Sequence, residues 1–105
     1  MANYMLAYTG GGAPDASPEE LQKIMDAWMG WFGTLGESVV DAGNPFGPSS
    51  TIASDGSVSP GGAAALGGYS IISAESLDAA TDKAKGCPIL AGGGGVEVYE
   101  VVPMG

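Results

Sequence analysis

The sequence predicts an α+β fold in one domain spanning residues 1–105. Three observations carry that prediction. Two segments with apolar residues at helical spacing, Ser17–Leu35 and Ala74–Lys85, each lie between segments of strand character. An Asp55-Gly56 pair between the two halves marks a tight hairpin turn. The whole pattern fits into 105 residues, the length of a single domain. Strand, helix, strand, hairpin insert, strand, helix, strand is the order of a ferredoxin-like βαββαβ sandwich, with both helices on one face of a four-stranded antiparallel sheet.

Each element has its own signal. Tyr4-Met5-Leu6-Ala7-Tyr8 reads as the first strand, with Tyr4, Leu6 and Tyr8 on one face. Gly10 to Ala16 reads as a loop. Ser17-Pro18-Glu19-Glu20 opens a helix: serine caps, proline suits the first helical position, and Glu20 completes a capping box. Leu21, Ile24, Met25, Trp28, Phe32 and Leu35 then form a wide apolar face, with Met29 and Trp31 at its margins, and Gly36 is the stop. At helical spacing this stripe is expected to form the core between helix and sheet. Ser38–Ala42 is a short strand. Thr51–Ser54 and Ser57–Ser59 flank the hairpin turn, and Pro60–Ala65 is a connector. Tyr69–Ser73 is the next strand. Leu77, Ala80, Thr81 and Ala84 give the second helix a narrow face of small residues, with acids near its start and lysines near its end, as the helix dipole favours. Gly86 and Pro88 end it, and Val96–Val102 is the last strand.

Composition excludes several function classes. Twelve acids against three lysines and no arginine give a net charge of −9, which leaves nothing to neutralise a nucleic-acid backbone or to bind an anionic membrane. No apolar run approaches the roughly 18 residues of a spanning helix. The N-terminus shows no basic region followed by an apolar core. With one cysteine and no possible internal disulfide, a cytoplasmic location is expected. Charged residues are only 14% of the chain, against roughly 25% in soluble proteins. Some surface is therefore expected to be covered. One sheet face carries no helix, and pairing two such faces would bury it and enclose a cleft. The expected partners are a second copy of the chain and a small-molecule ligand.

Tyr4-Met5-Leu6, Ser17-Pro18-Glu19-Glu20, Trp28, Val40-Asp41-Ala42-Gly43-Asn44-Pro45, Gly68-Tyr69-Ser70-Ile71, Ser76-Leu77-Asp78-Ala79-Ala80, Gly86-Cys87-Pro88 and Val96-Glu97-Val98 together resemble the YCII-related proteins, including their DGPF-type branch. The resemblance covers nearly the whole chain. It implies a dimeric α+β barrel with a small-molecule cleft near the sheet interface, and no settled activity. Some members are thought to be enzymes using a His–Asp pair. This chain departs from that pattern: it has no histidine, and Ala91-Gly92-Gly93-Gly94-Gly95 stands where many relatives place one. It reads Asp55-Gly56-Ser57-Val58 where the tetrapeptide that names the branch would be sought.

Without histidine, acid–base work at neutral pH needs a perturbed carboxylate, phenol or lysine. Asp41 is the leading catalytic candidate, because it interrupts an apolar strand and burial would raise its pKa. The alternative is a turn-former bonded to the Gly43-Asn44 backbone. Tyr8, Tyr69 and Ser70 are candidates to position a substrate, against the simpler role of packed phenols with satisfied hydroxyls. Asn44 and Ser59 are candidates for the cleft mouth, against ordinary loop polarity. Gly10-Gly11-Gly12 lacks the Gly-Lys-Ser/Thr of a phosphate loop and precedes acids. Cys87 follows a helix C-terminus, whose negative end disfavours a thiolate, so it reads as a packing residue. No cofactor and no metal site is expected. Two functions follow. One is a homodimeric small-molecule-binding domain with cofactor-free proton-transfer chemistry of isomerase or lyase type. The other is a non-catalytic interaction module that has lost the family's histidine.

Overall fold

The computed structural model describes residues 1–10, 17–61 and 66–104. All of the Gly10–Ala16 loop after Gly10, with the rest of its glycine run, and most of the Pro60–Ala65 connector thus lie outside the described residues. The elements are β1 (Ala2–Thr9), α1 (Pro18–Leu35), β2 (Val39–Asp41), β3 (Ser50–Ile52), β4 (Val58–Pro60), β5 (Leu66–Ala74), α2 (Leu77–Ala84) and β6 (Gly95–Val101), with 3-10 turns at Gly36–Ser38 and Pro88–Leu90. Four strands form an antiparallel sheet in the order β2-β5-β1-β6, and β3 and β4 form a separate hairpin. This is a ferredoxin-like α+β arrangement with a hairpin insert.

Register fixes which residues share a face. Tyr4 lies opposite Ile72, Leu6 opposite Ser70 and Val98, and Tyr8 opposite Gly68 and Val96. Strand alternation places these side chains on the helix-bearing face. Met5, Ala7, Tyr69, Ile71, Ser73, Tyr99 and Val101 occupy the other, which no described helix covers. The core lies on the helix side: Tyr4, Leu6, Ile72, Ala74, Ala80, Ala84 and Cys87 are buried, Leu6 and Ile72 completely.

Both helices start where their caps place them. Ser17 Oγ accepts from the Glu20 N–H at 3.2 Å, and Gly36 ends α1 with φ +54°. α2 begins at Ser76, whose Oγ accepts from the Ala79 N–H at 3.1 Å, so this helix is shorter at its start than the Ala74–Lys85 expectation.

The expected core stripe of α1 is corrected in part: Trp28, Phe32 and Leu35 are half-buried against the core, but the first half of the stripe is not. Leu21, Ile24, Met25 and Met29 are exposed, and the one buried residue of the helix is Trp31, placed by the sequence at the margin. The physical reason is what each half meets: the Trp31 indole N–H donates to the Lys83 carbonyl at 3.1 Å and its ring lies against Gly86, whereas Leu21, Ile24 and Met25 face open space.

The hairpin turn is also wider than a two-residue turn. The Ala53 N–H donates to the Ser57 carbonyl, and a tighter turn closes from Gly56 back to Ala53. Asp55 Oδ1 accepts the Ser57 N–H at 2.9 Å, and this hydrogen bond holds its carboxyl below the usual range.

Candidate functional site

The space beside the exposed apolar face of α1 is a cavity of about 1150 Å³. One wall is apolar and helical: Leu21, Ile24, Met25, Trp28 and Phe32. The rest of the lining combines Tyr8 and Ser70 with Ala42–Pro45, Gly67–Gly68, Pro88 and Ile89. Among the described lining residues Lys23 alone is charged, and it is exposed. Such a cavity, largely apolar with a few fixed polar groups, has the make-up of a small-molecule site.

Aromatic contacts brace the helix over the sheet. The Tyr8 and Trp28 rings meet edge to face at 5.1 Å, and Trp28 meets Trp31 at 5.8 Å. The Tyr8 hydroxyl lies 2.7 Å from Ser70 Oγ, which in turn lies 2.6 Å from the Ala42 carbonyl oxygen. Burial pushes the Tyr8 phenol up to about 12. Ser70 is fully buried, and no buried side-chain nitrogen or oxygen among the described residues lacks a partner.

The loop after β2 is pressed against β5. The Tyr69 N–H donates to the Asn44 carbonyl at 3.3 Å, and the Phe46 N–H to the Gly67 carbonyl at 2.9 Å. Gly43 makes this approach feasible. Its φ is +81°, and a Cβ there would sit 1.7 Å from the Tyr69 carbonyl oxygen.

The sequence candidates divide into three places. Tyr8, Ser70 and Asn44 meet at the cavity. Tyr69 contributes to the cavity edge, but strand alternation puts its ring on the opposite sheet face. There its hydroxyl lies 3.4 Å from Asp41 Oδ2 and its ring stacks on Phe46 at 5.7 Å. Asp41 is exposed rather than buried within an apolar strand, because β2 is a three-residue edge strand. Its Oδ1 accepts the Gly43 N–H at 2.9 Å, so it also forms the turn. Ser59 lies on the exposed hairpin opposite Thr51, apart from the cavity lining. Cys87 is buried, and burial pushes its thiol up to about 11.

Sequence reasoning missed the helical wall. Trp28 and Phe32 do pack against the core as expected, but Leu21, Ile24 and Met25 line the cavity instead, because periodicity reports an apolar face and not what covers it. Ile89 and Gly68 carried no signal of their own.

The YCII-related domain family matches residues 4–105. The chain belongs to that family. The match names the YCII-related domain rather than its DGPF-type branch, and no curated protein matches the chain. Among the described residues no helix is long and apolar enough to cross a membrane, and no three carboxylates or thiols come together as a metal would need.

Proposed function

We propose that this YCII-related protein is a homodimeric small-molecule-binding domain whose ligand lies between α1 and the sheet. The observation that carries this reading is the cavity of about 1150 Å³ under the apolar half of α1. Leaving Leu21, Ile24 and Met25 exposed costs hydrophobic free energy, roughly 25 cal/mol for each Å² that a ligand would cover. The second copy pairs through the helix-free sheet face, where Tyr99 and Val101 stand exposed. One free, buried cysteine suits a cytoplasmic setting.

Cofactor-free proton transfer is the second reading. The 3.4 Å approach of the Tyr69 hydroxyl to Asp41 favours it, since it joins an acceptor to a phenol beside the backbone that rims the cavity. Asp41→Asn tests this reading: any turnover found for the protein should fall by a factor of about 100. Unchanged turnover removes Asp41 from the chemistry.

The binding reading is tested with Nile red, a neutral apolar fluorophore. It should bind saturably at one molecule per chain with blue-shifted emission. Ile24→Glu should weaken it roughly tenfold, because the new charge would be desolvated by the dye. Non-saturable binding, or binding indifferent to Ile24→Glu, contradicts the assignment.

A further inference from the structure

The hydrogen bonds at the cavity wall have a direction. A backbone carbonyl can only accept, so the 2.6 Å contact between Ser70 Oγ and the Ala42 oxygen requires the serine to donate. Serine has a single proton, and it is spent there. The 2.7 Å contact between Tyr8 and Ser70 must therefore run from the phenol to the serine oxygen. The Tyr8 proton is spent in turn. What remains to Tyr8 is acceptor capacity on its hydroxyl oxygen, and Tyr8 lines the cavity.

We propose that Tyr8 is a specificity-determining residue: through the one-way chain Tyr8–Ser70–Ala42, the cavity selects a neutral, apolar ligand that carries a hydrogen-bond donor, such as a hydroxyl or amide N–H. This rests on the binding reading above and adds the chemical class of the ligand.

Three features agree. The phenol stays protonated at neutral pH, because burial raises its pKa to about 12, so the direction of the chain is kept under ordinary conditions. Ser70 is fully buried, so solvent offers its oxygen no alternative partner. Net charge disfavours an anion: the chain carries −9, and the one cation of the described lining, Lys23, is exposed, so solvent screens its attraction. A ligand that only accepts would set its oxygen against the Tyr8 oxygen and leave both unpaired, which is costly in a dry site.

Matched probes in isothermal titration calorimetry at pH 7 test this. 1-Naphthol carries a donor, 1-methoxynaphthalene has the same ring system without one, and 1-naphthoate is the anion. The expected result is 1-naphthol tighter than the ether by about tenfold, the value of one hydrogen bond in an apolar site, with the naphthoate weakest. Tyr8→Phe should bring the ratio to near one. Ser70→Ala frees the Ala42 carbonyl to accept and the Tyr8 proton to donate, so the ether should gain affinity relative to its binding to the unmodified protein. Equal binding of naphthol and ether to the unmodified protein, or a ratio unchanged in Tyr8→Phe, overturns the donor rule and leaves the cavity as a binding site. Tightest binding by the naphthoate overturns the neutral class. No binding of any probe overturns both the rule and the reading beneath it.

Discussion

Ser70 lies between a phenol and a carbonyl and is fully buried, so its hydroxyl serves as acceptor and donor at once. Ser70→Ala leaves two groups without a partner, and equilibrium unfolding should show a loss of about 1–3 kcal/mol. Its two neighbours respond to alkali. The folded-state pKa values of Tyr8 and Cys87 lie near 12 and 11, above the ordinary 10 and 9. Groups held protonated in the fold ionise first in the unfolded chain, so their contribution is complete below pH 9 and is lost as pH rises from 9 toward 12. Urea midpoints should fall across that window, and Tyr8→Phe should make the fall shallower. At pH 8 a thiol reagent should modify Cys87 only as fast as the protein opens. The role of Ser70 was half legible in the sequence. Its place beside Tyr69 suggested a polar site, but its true partner is Tyr8, 62 residues away. Only the β1–β5 register brings them together.

The first helix shows what periodicity conveys and what it omits. Its limits, cap and stop were readable from Ser17, Pro18 and Gly36, because these are local chemistry. Which part of its apolar stripe packs was not readable, because that depends on which distant elements meet it. Trp31 carries the anchoring. Trp31→Ala should cost about 3–5 kcal/mol, whereas Met29→Ala, at a position 70% exposed, should stay within about 0.5 kcal/mol. Thermal or urea denaturation of the pair checks the contrast, and similar losses would mean that the whole stripe packs. The strap after β2 makes a comparable case. Gly43→Ala would drive a Cβ into the Tyr69 carbonyl and should cost roughly 2 kcal/mol or more. The Val40–Pro45 segment was legible as a strand end with a turn. Its place in the cavity lining was not, because that depends on its approach to β5.

At the scale of the molecule the chain is flat, 44 × 42 × 18 Å, with a radius of gyration of 15.2 Å. A compact chain of this length would have about 13 Å. The isolated hairpin, with Ile52 and Val58 both exposed, and the bare sheet face account for that shape. The four-stranded order was legible in the sequence because strand–helix–strand halves admit few topologies. Dimer formation through the bare face should give twice the chain mass in sedimentation at micromolar concentration. Tyr99→Glu should weaken it at least tenfold, corresponding to about 1.4 kcal/mol. Added salt should strengthen it, since two chains of −9 repel one another. A monomer at all salt concentrations contradicts the pairing and leaves the cavity unaffected.

The function proposed for this chain depends on a ligand occupying the space between α1 and the sheet. An amide NMR titration of the isotope-labelled protein with 1-naphthol tests it most directly. Saturable shifts should gather on Tyr8, Trp28, Gly68, Ser70 and Ile89, while Thr51 and Ser59 on the hairpin stay unmoved. Shifts gathered instead on Ile71, Ser73 and Tyr99 of the bare sheet face, or no saturable shift at all, would contradict it.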